Sequence, residues 1–559
     1  MKLFPLKIIL PLIFWMFSFF GLTQDYNFHN PLSIPISIGA YFGDLRPNHF
    51  HMGIDYRTNG VEGLNLHSIA DGYVSRVRVT PYGYGKVVYI NHSDGLTSVY
   101  AHCSKFLGKL DSVVNAARIN QQNNEIELYL DSNAVPLQRG QVFALSGNTG
   151  SSTGPHLHFE IRETATDTPL NPLLFGLGNK DIYKPTINSM KVYGLSNEGF
   201  IIPKKSKTIS IINGKLASGN TIVLPSNFSM LYGTIGIGIS GYDPHSTGAC
   251  GLYENKLTSN NKLLYHTKLN KVSFEETRYI NTYKDYSGYK NGLKIHKLFK
   301  NSMNQFNSTE TNSTGKIKLY PCDSVPLEIE TIDAFSNAYK IKFGLTIESG
   351  QMDTTQHFFP ETSYWKPNNK YEIQLSNCSL LIDSLSLYEP TKMNIVDNGK
   401  KINFGDLYQA INKPIIISFK DWKSSKHSDK NYFIGYLNGS HYDYCETDIK
   451  QNHLITKALK FGTYKVIIDT IKPKITPLNY TNYGFNSKSK TFVWTIADNE
   501  SKLSKYDVYI NNEWITADFD YKTKKLKSTI ENPLHEIYCI RIIVSDVCGN
   551  VNILETSFH

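Results

Sequence analysis

Short runs of alternating polar and apolar residues, broken by glycine turns, constrain this chain more than any other feature. DGYVSRVRV, GKVVYINH, TSVYAH and QVFALSG follow one another, separated by YGYG, HSDG and SGNTG. Side chains of a strand alternate between two faces, so such runs form half-buried strands joined by tight turns, an antiparallel pattern. The pattern runs on beyond residue 180 to the end of the chain. Tyr 36 and Phe 29 are high, which also favours strands. The 559 residues exceed what one core can organise. We expect a mostly β protein: an antiparallel β-sheet domain at 24–178, then three β-sandwich, Ig-like modules at 179–350, 351–470 and 471–559. The polar stretch Leu107–Leu137 reads as an insertion with one short helix. The proline-rich DTIKPKITPLN at Asp469–Asn479 reads as an interdomain strand-linker.

Two tail segments resemble each other. IETIDAFSNAYKIKFGLTIE and IRIIVSDVCGNVNILETSF each place an alternating strand, an Asp, a turn ending in Asn and a second strand. Asp333 and Asn337 thereby match Asp546 and Asn550. Asp and Asn suit such turns because their side chains bond nearby backbone. The acidic loop of Asp498, Glu500 and Asp507 has residues that could hold calcium, and reads first as an ordinary exposed turn.

The first twenty residues have the layout of a secretory signal. Lys2 and Lys7 precede the apolar run Ile8–Phe20, which is short for a membrane span. Residues 1–23 are therefore expected to be a signal peptide, and the mature chain to be exported to the periplasm or cell surface with no membrane span. Net charge is +9, but Lys and Arg are scattered, which does not indicate a nucleic-acid partner. The seven cysteines are dispersed and form no CxxC pair, so a cysteine metal site is not expected.

Chemistry concentrates in three stretches. SSTGPHLHFE holds His156 and His158 two residues apart. On a strand the two rings share a face, while Leu157 and Phe159 turn to a core. Glu160 follows on the histidine face and reads as structural. NHFHMGIDYR holds His49, His51 and Asp55. On a straight strand His51 and Asp55 would stand about 13 Å apart, too far to share a metal. They converge only if the chain folds at Gly53, which accepts bends other residues refuse. His49 competes with His51 for the same role. SVYAHCS places Tyr100 and His102 on one face, with Cys103 turned into the interior.

Taken together, HMGID, YAH and GNTGSSTGPHLHFEIR, in that order, with ADGYV and RGQVFALSG between them, resemble the lysostaphin-type (LytM-like) zinc metallopeptidases that cut peptidoglycan peptides. The resemblance covers roughly residues 40–175. It implies one Zn2+ per chain held by His51, Asp55 and His158, with His102 and His156 as unligated catalytic histidines. It leaves His49 without a role, and Cys103 stands where the family usually has Leu or Met. The activity implied is zinc-dependent hydrolysis of peptide bonds in the stems or cross-links of cell-wall peptidoglycan. Two other readings stand beside it: a non-catalytic peptidoglycan-binding regulator of other hydrolases, and a zinc endopeptidase acting on a secreted protein. The β modules could bind wall polymer, contact a partner or space the catalytic domain, with the spacer role as the default. The division of labour between His102 and His156 stays open.

Overall fold

The computed structural model describes residues 26–228, 234–245, 248–307, 309–354, 358–423, 426–481, 484–485, 491–530 and 538–558. The expected signal peptide at 1–23 lies outside the described residues. Among those described, no helix is long and apolar enough to cross a membrane.

The architecture is mostly β. The first sheet has nine strands, with seven on its main path in the order Ile38–Ala40, Ile54–Arg57, His156–Glu163, Leu96–Cys103, Lys86–His92, Gly72–Val79 and Ile126–Tyr129. Every pairing along this path is antiparallel. Glycine turns close the hairpins at Gly83, Gly85 and Gly95, all with positive φ. One face packs a core of Ile54, Tyr56, Val74, Val77, Val88, Ile90, Tyr100, Leu157, Phe159 and Ile161. The insertion after Leu107 forms the helix Gly108–Gln121, whose Leu110 and Val114 reach the same core.

Three further cores follow along the chain. One is enclosed between the sheet of Thr186–Leu195 and Thr234–His245 and the sheet of Ser324–Ile332 and Ala338–Ile347. Its strand Thr221–Leu224 pairs in parallel with Ala338–Ile347, an exception to the antiparallel pattern. A second core holds Trp365, Ile402, Ile417, Trp422 and Tyr432. A third holds Phe492, Trp494, Val508, Ile542 and Val544. All seven cysteines are free.

The expected spacer arrangement is not what the chain adopts. Phe42, Leu45, Phe50 and Met52, which flank His51, share a core with Tyr253, Leu269, Val272, Ile280, Tyr283 and Phe306. The Phe50 amide donates to Thr277 Oγ1 (2.9 Å). The buried Lys284 ammonium donates to the carbonyls of Arg46 (2.6 Å) and Pro47 (2.7 Å). At the other end of the chain, Lys86 and Arg118 bind the Asp518 carboxylate at 2.7 and 3.0 Å. The Asn124 side chain bonds the Tyr506 carbonyl and the Ala517 amide. Residues 253–306 thus brace the segment before His51, and residues 502–522 lean on the opposite wall.

Candidate functional site

The chain bends at Gly53, as the spacing of His51 and Asp55 requires. A Cβ there would lie 2.2 Å from the Phe159 carbonyl oxygen, so only glycine lets Ile54–Arg57 pair closely with His156–Glu163. In that register His158 stands opposite Asp55 on one side and Ala101 on the other. Leu157 and Phe159 enter the core, and the histidines face away from it.

The result is a triangle of donors. His51 Nε2, Asp55 Oδ1 and His158 Nδ1 are each 3.0 Å from the other two. The far nitrogens fix the tautomers. His51 Nδ1 donates to the Tyr41 carbonyl (2.8 Å), and His158 Nε2 to the Glu160 carboxylate (2.8 Å). In the neutral rings, two lone pairs and a carboxylate oxygen therefore aim at one point with no proton to share. Such a set repels itself unless a cation sits within it. Its edges are close to the ~3.3 Å separation of ligands around a tetrahedral ion with bonds of about 2.0–2.1 Å. The residues present fit a metal ion, and the three form one of the groups able to hold one.

Electrostatics point the same way. Burial would raise the Asp55 carboxyl, but His51 and His158 hold it well below the usual range. Burial lowers the His158 ring, yet Asp55 and Glu160 push it up to about 9, so a proton and a metal compete for Nδ1. Glu160 is fully buried, where desolvation opposes its charge. Arg162, His158 and the Tyr84 hydroxyl nevertheless hold it down at about 2. Arg162 Nε donates to its second oxygen (2.7 Å), and Tyr84 Oη to its first (2.5 Å).

Glu160 is the residue that sequence reasoning undervalued. Its partner is the far nitrogen of His158, two residues before it on the same face. The period-2 run His156, His158, Glu160 was the available signal. His49 is exposed at the cleft rim and contributes nothing to the donor triangle.

His102 and His156 stand beside the triangle, with ring centroids 4.8 Å apart. His102 Nδ1 donates to the Thr149 carbonyl (2.8 Å), and His156 Nδ1 to the Gly154 carbonyl (2.9 Å). Each ring thus keeps its Nε2 unprotonated, and that of His156 lies 3.6 Å from Asp55 Oδ1. Burial and the two neighbouring histidines drive His102 down to about 3. Burial likewise lowers His156, although Asp55 opposes it.

The alternation expected across Tyr100, His102 and Cys103 is broken. His102 adopts φ +63°, a left-handed conformation uncommon for a side chain with Cβ. The pairing with Lys86–His92 also slips a register there. Tyr100 and Cys103 therefore both enter the core, and His102 alone turns to the cleft.

Residues 49–119 match the profile of Peptidase family M23. This region is an M23 peptidase domain. An uncharacterized metalloprotease of Haemophilus influenzae is 33% identical over 131 residues, 23% of this chain and 21% of that protein. The DD-carboxypeptidase/endopeptidase Mpg of Neisseria meningitidis is 31% identical over 132 residues, 24% of each chain. The peptidoglycan DD-endopeptidase ShyB of Vibrio cholerae is 34% identical over 111 residues, 20% of each. The chain thus spans less than a quarter of the length of these relatives. Among solved structures, the catalytic domain of the prophage-encoded M23 protein EnpA from Enterococcus faecalis is 26% identical and covers 25% of this chain and 92% of that one, with a TM-score of 0.19.

The M23 domain opens into a cleft of about 1170 Å³. One wall is its own: Arg46, Tyr82, Tyr84 and the Ser151–Thr153 turn. The other comes from the far end of the chain, through Tyr444, Glu446, Lys502, Ser504 and Val547. Lys502 Nζ lies 4.3 Å from the centre of the Tyr82 ring, and Tyr521 packs on that ring at 5.0 Å. The cleft of the M23 domain is therefore a composite of distant segments.

Proposed function

We propose that the chain is an exported zinc endopeptidase that hydrolyses peptide bonds in the stems or cross-links of peptidoglycan. One observation carries the reading: three donor atoms, two on buried histidines and one on the half-buried Asp55, mutually 3.0 Å apart, none able to offer another a proton when both rings are neutral. Two imidazoles and one carboxylate are a zinc-type donor set with room left for water or substrate. The relative named as the peptidoglycan DD-endopeptidase ShyB supports the substrate class.

In this reading His51, Asp55 and His158 hold the metal, which supplies Lewis acidity when bound. Glu160 orients the His158 ring and strengthens its nitrogen as a donor, and Arg162 and Tyr84 hold Glu160 in place. His102 and His156, neutral and with Nε2 facing the cleft, accept the proton of the attacking water. Once protonated, either ring donates to the departing amine or to the developing oxyanion. Their Nδ1 bonds to Thr149 and Gly154 fix the rings so that little reorganisation is needed.

The test is digestion of purified peptidoglycan by the zinc-loaded full chain, with mass analysis of the released fragments. Fragments from cleaved stems or cross-links, lost on zinc removal and restored by zinc, are the expected result. Intact peptidoglycan at full zinc occupancy overturns the reading.

A further inference from the structure

A second cluster lies where the M23 domain joins the next β-region. Asp181 sits on the connecting segment, Asp243 in Thr234–His245 and Asp333 just after Ser324–Ile332. Their carboxylate oxygens come within 4.8 Å of one another, and the residues are only 7%, 2% and 3% exposed. Asp333 is well bonded: Oδ1 accepts from the amides of Phe335 and Asn337, and Oδ2 from Asn337 Nδ2. Asp181 Oδ1 accepts from the Tyr183 amide (3.0 Å). Asp181 Oδ2 and Asp243 Oδ1, however, are buried with no hydrogen-bond partner among the described residues.

Three adjacent carboxylates cannot all ionise in a buried site without a counter-charge. Burial, then Asp333 and Asp181, push Asp243 up to about 8. Burial also raises Asp333, against the bonds from Asn337. Two orphaned oxygens beside a third carboxylate form a set of hard donors, the kind that holds calcium rather than a transition metal. Magnesium keeps more of its water and uses fewer carboxylates, so it suits a dry triple-carboxylate site less well.

The same frame recurs at the last β-region. Asp469 Oδ1 accepts from the Ile471 amide, as Asp181 Oδ1 does from Tyr183. Asn550 Nδ2 spans Asp546 Oδ2 and the Asp469 carbonyl, as Asn337 Nδ2 spans Asp333 Oδ2 and the Asp181 carbonyl. Asp469 Oδ2 is again buried without a partner among the described residues. There the third member is Cys548, whose thiol burial pushes up to about 12, a poor partner for a hard cation. Of the two junctions, the first completes the frame with a third carboxylate.

We propose that Asp181, Asp243 and Asp333 bind one calcium ion, fastening the connecting segment to the strand Thr234–His245 and the Asp333–Asn337 turn of the next β-region. That turn carries Ala334 and Phe335, which pack on the M23 core. Tyr41, whose carbonyl sets the His51 ring, lies in the field of all three carboxylates. The ion therefore steadies a junction one residue removed from a ligand of the other site.

Calcium counting on the full chain, stripped of metal and reloaded with zinc alone, is the test. At about 1 mM CaCl2, in the range suited to extracellular calcium modules, wild type should hold one more calcium per chain than Asp243→Asn. Without calcium at pH 8, Asp243→Asn should unfold at or above the wild-type temperature, because it removes a buried charge. Calcium should raise wild type by several degrees, past the variant, and magnesium at equal concentration by less. Equal calcium in both chains, or a wild-type transition indifferent to calcium, overturns the proposal. Should Asp243→Asn not fold, Asp181→Asn replaces it: one calcium fewer than wild type supports the site, and an equal count overturns it.

Discussion

The donor triangle of His51, Asp55 and His158 and the carboxylate trio of Asp181, Asp243 and Asp333 each bring three donors together, the triangle from two segments with Asp55 half-buried and the trio from three segments with all three buried. They differ in what stands behind the donors. In the triangle both imidazoles are tied at their far nitrogens, Arg46 reaches Asp55 Oδ2 at 3.2 Å, and Arg162 balances Glu160. In the trio, two oxygens have no partner among the described residues, and the nearest charges are other carboxylates. Bonds behind the ligands prepare the first site for a borderline metal that must be oriented for chemistry. In the second only Asp333 and one oxygen of Asp181 are held from behind, and the two unpartnered oxygens suit an ion that accepts flexible oxygen geometry and serves as a fastener.

The largest expected effect tests the triangle itself. His158→Ala should remove zinc and reduce peptidoglycan hydrolysis to background, and His51→Ala should match it, whereas His49→Ala should retain both. Zinc per chain by elemental analysis, beside the hydrolysis rate, reads this. If His49→Ala empties the site instead, the first ligand is misassigned.

Next comes His156→Ala, which leaves the triangle intact. It should keep zinc near one per chain and lose activity by about 10²–10⁴-fold, the scale of a lost acid–base or oxyanion group. Loss of zinc in parallel with activity would make His156 a ligand and dissolve the distinction drawn for it.

A smaller effect belongs to Glu160→Gln. It keeps the side-chain shape but weakens the acceptor for His158 Nε2, so zinc affinity should fall about 10–100-fold. Competition against a chromogenic chelator measures this, and an unchanged affinity would return Glu160 to a purely structural role.

The smallest effect separates the trio by pH. An unfolded Asp titrates near 3.9, while Asp243, facing Asp181, Asp333, Tyr41 and Cys250, titrates near 8 in the fold. Between those values the folded chain holds a proton that the unfolded chain has lost. That contribution to stability is complete below about pH 4 and is lost as pH rises through about 8. Without calcium, the unfolding transition of the first β-region should drop by a few degrees between pH 6 and 9; with calcium or in Asp243→Asn it should stay flat. A slope unaffected by either change would show that another group titrates.

Much of this was legible in the residues because it depends on local geometry. The period-2 run placed Leu157 and Phe159 in the core and both histidines on the opposite face, and glycine at 53 marked the bend that joins His51 to Asp55. The Asp–Asn correspondence of residues 333–337 and 546–550 was visible as a pattern, and both turns close with the same side-chain bonds.

What the order of residues determined by itself was the strand pattern, the shared face of His156 and His158 and the bend at Gly53, since alternation and turn chemistry act over a few residues; the grouping of His51, Asp55 and His158 was implied only by the family resemblance. The tertiary structure alone decided the rest. The left-handed turn at His102 breaks a parity that counting cannot foresee. The role of Glu160 follows from which nitrogen of His158 faces inward. The cleft wall at Tyr444, Lys502 and Ser504 and the meeting of Asp181 with Asp243 and Asp333 join residues tens to hundreds of positions apart. Burial and charge act through space, and only the packed chain fixes which distant groups share a low-dielectric pocket.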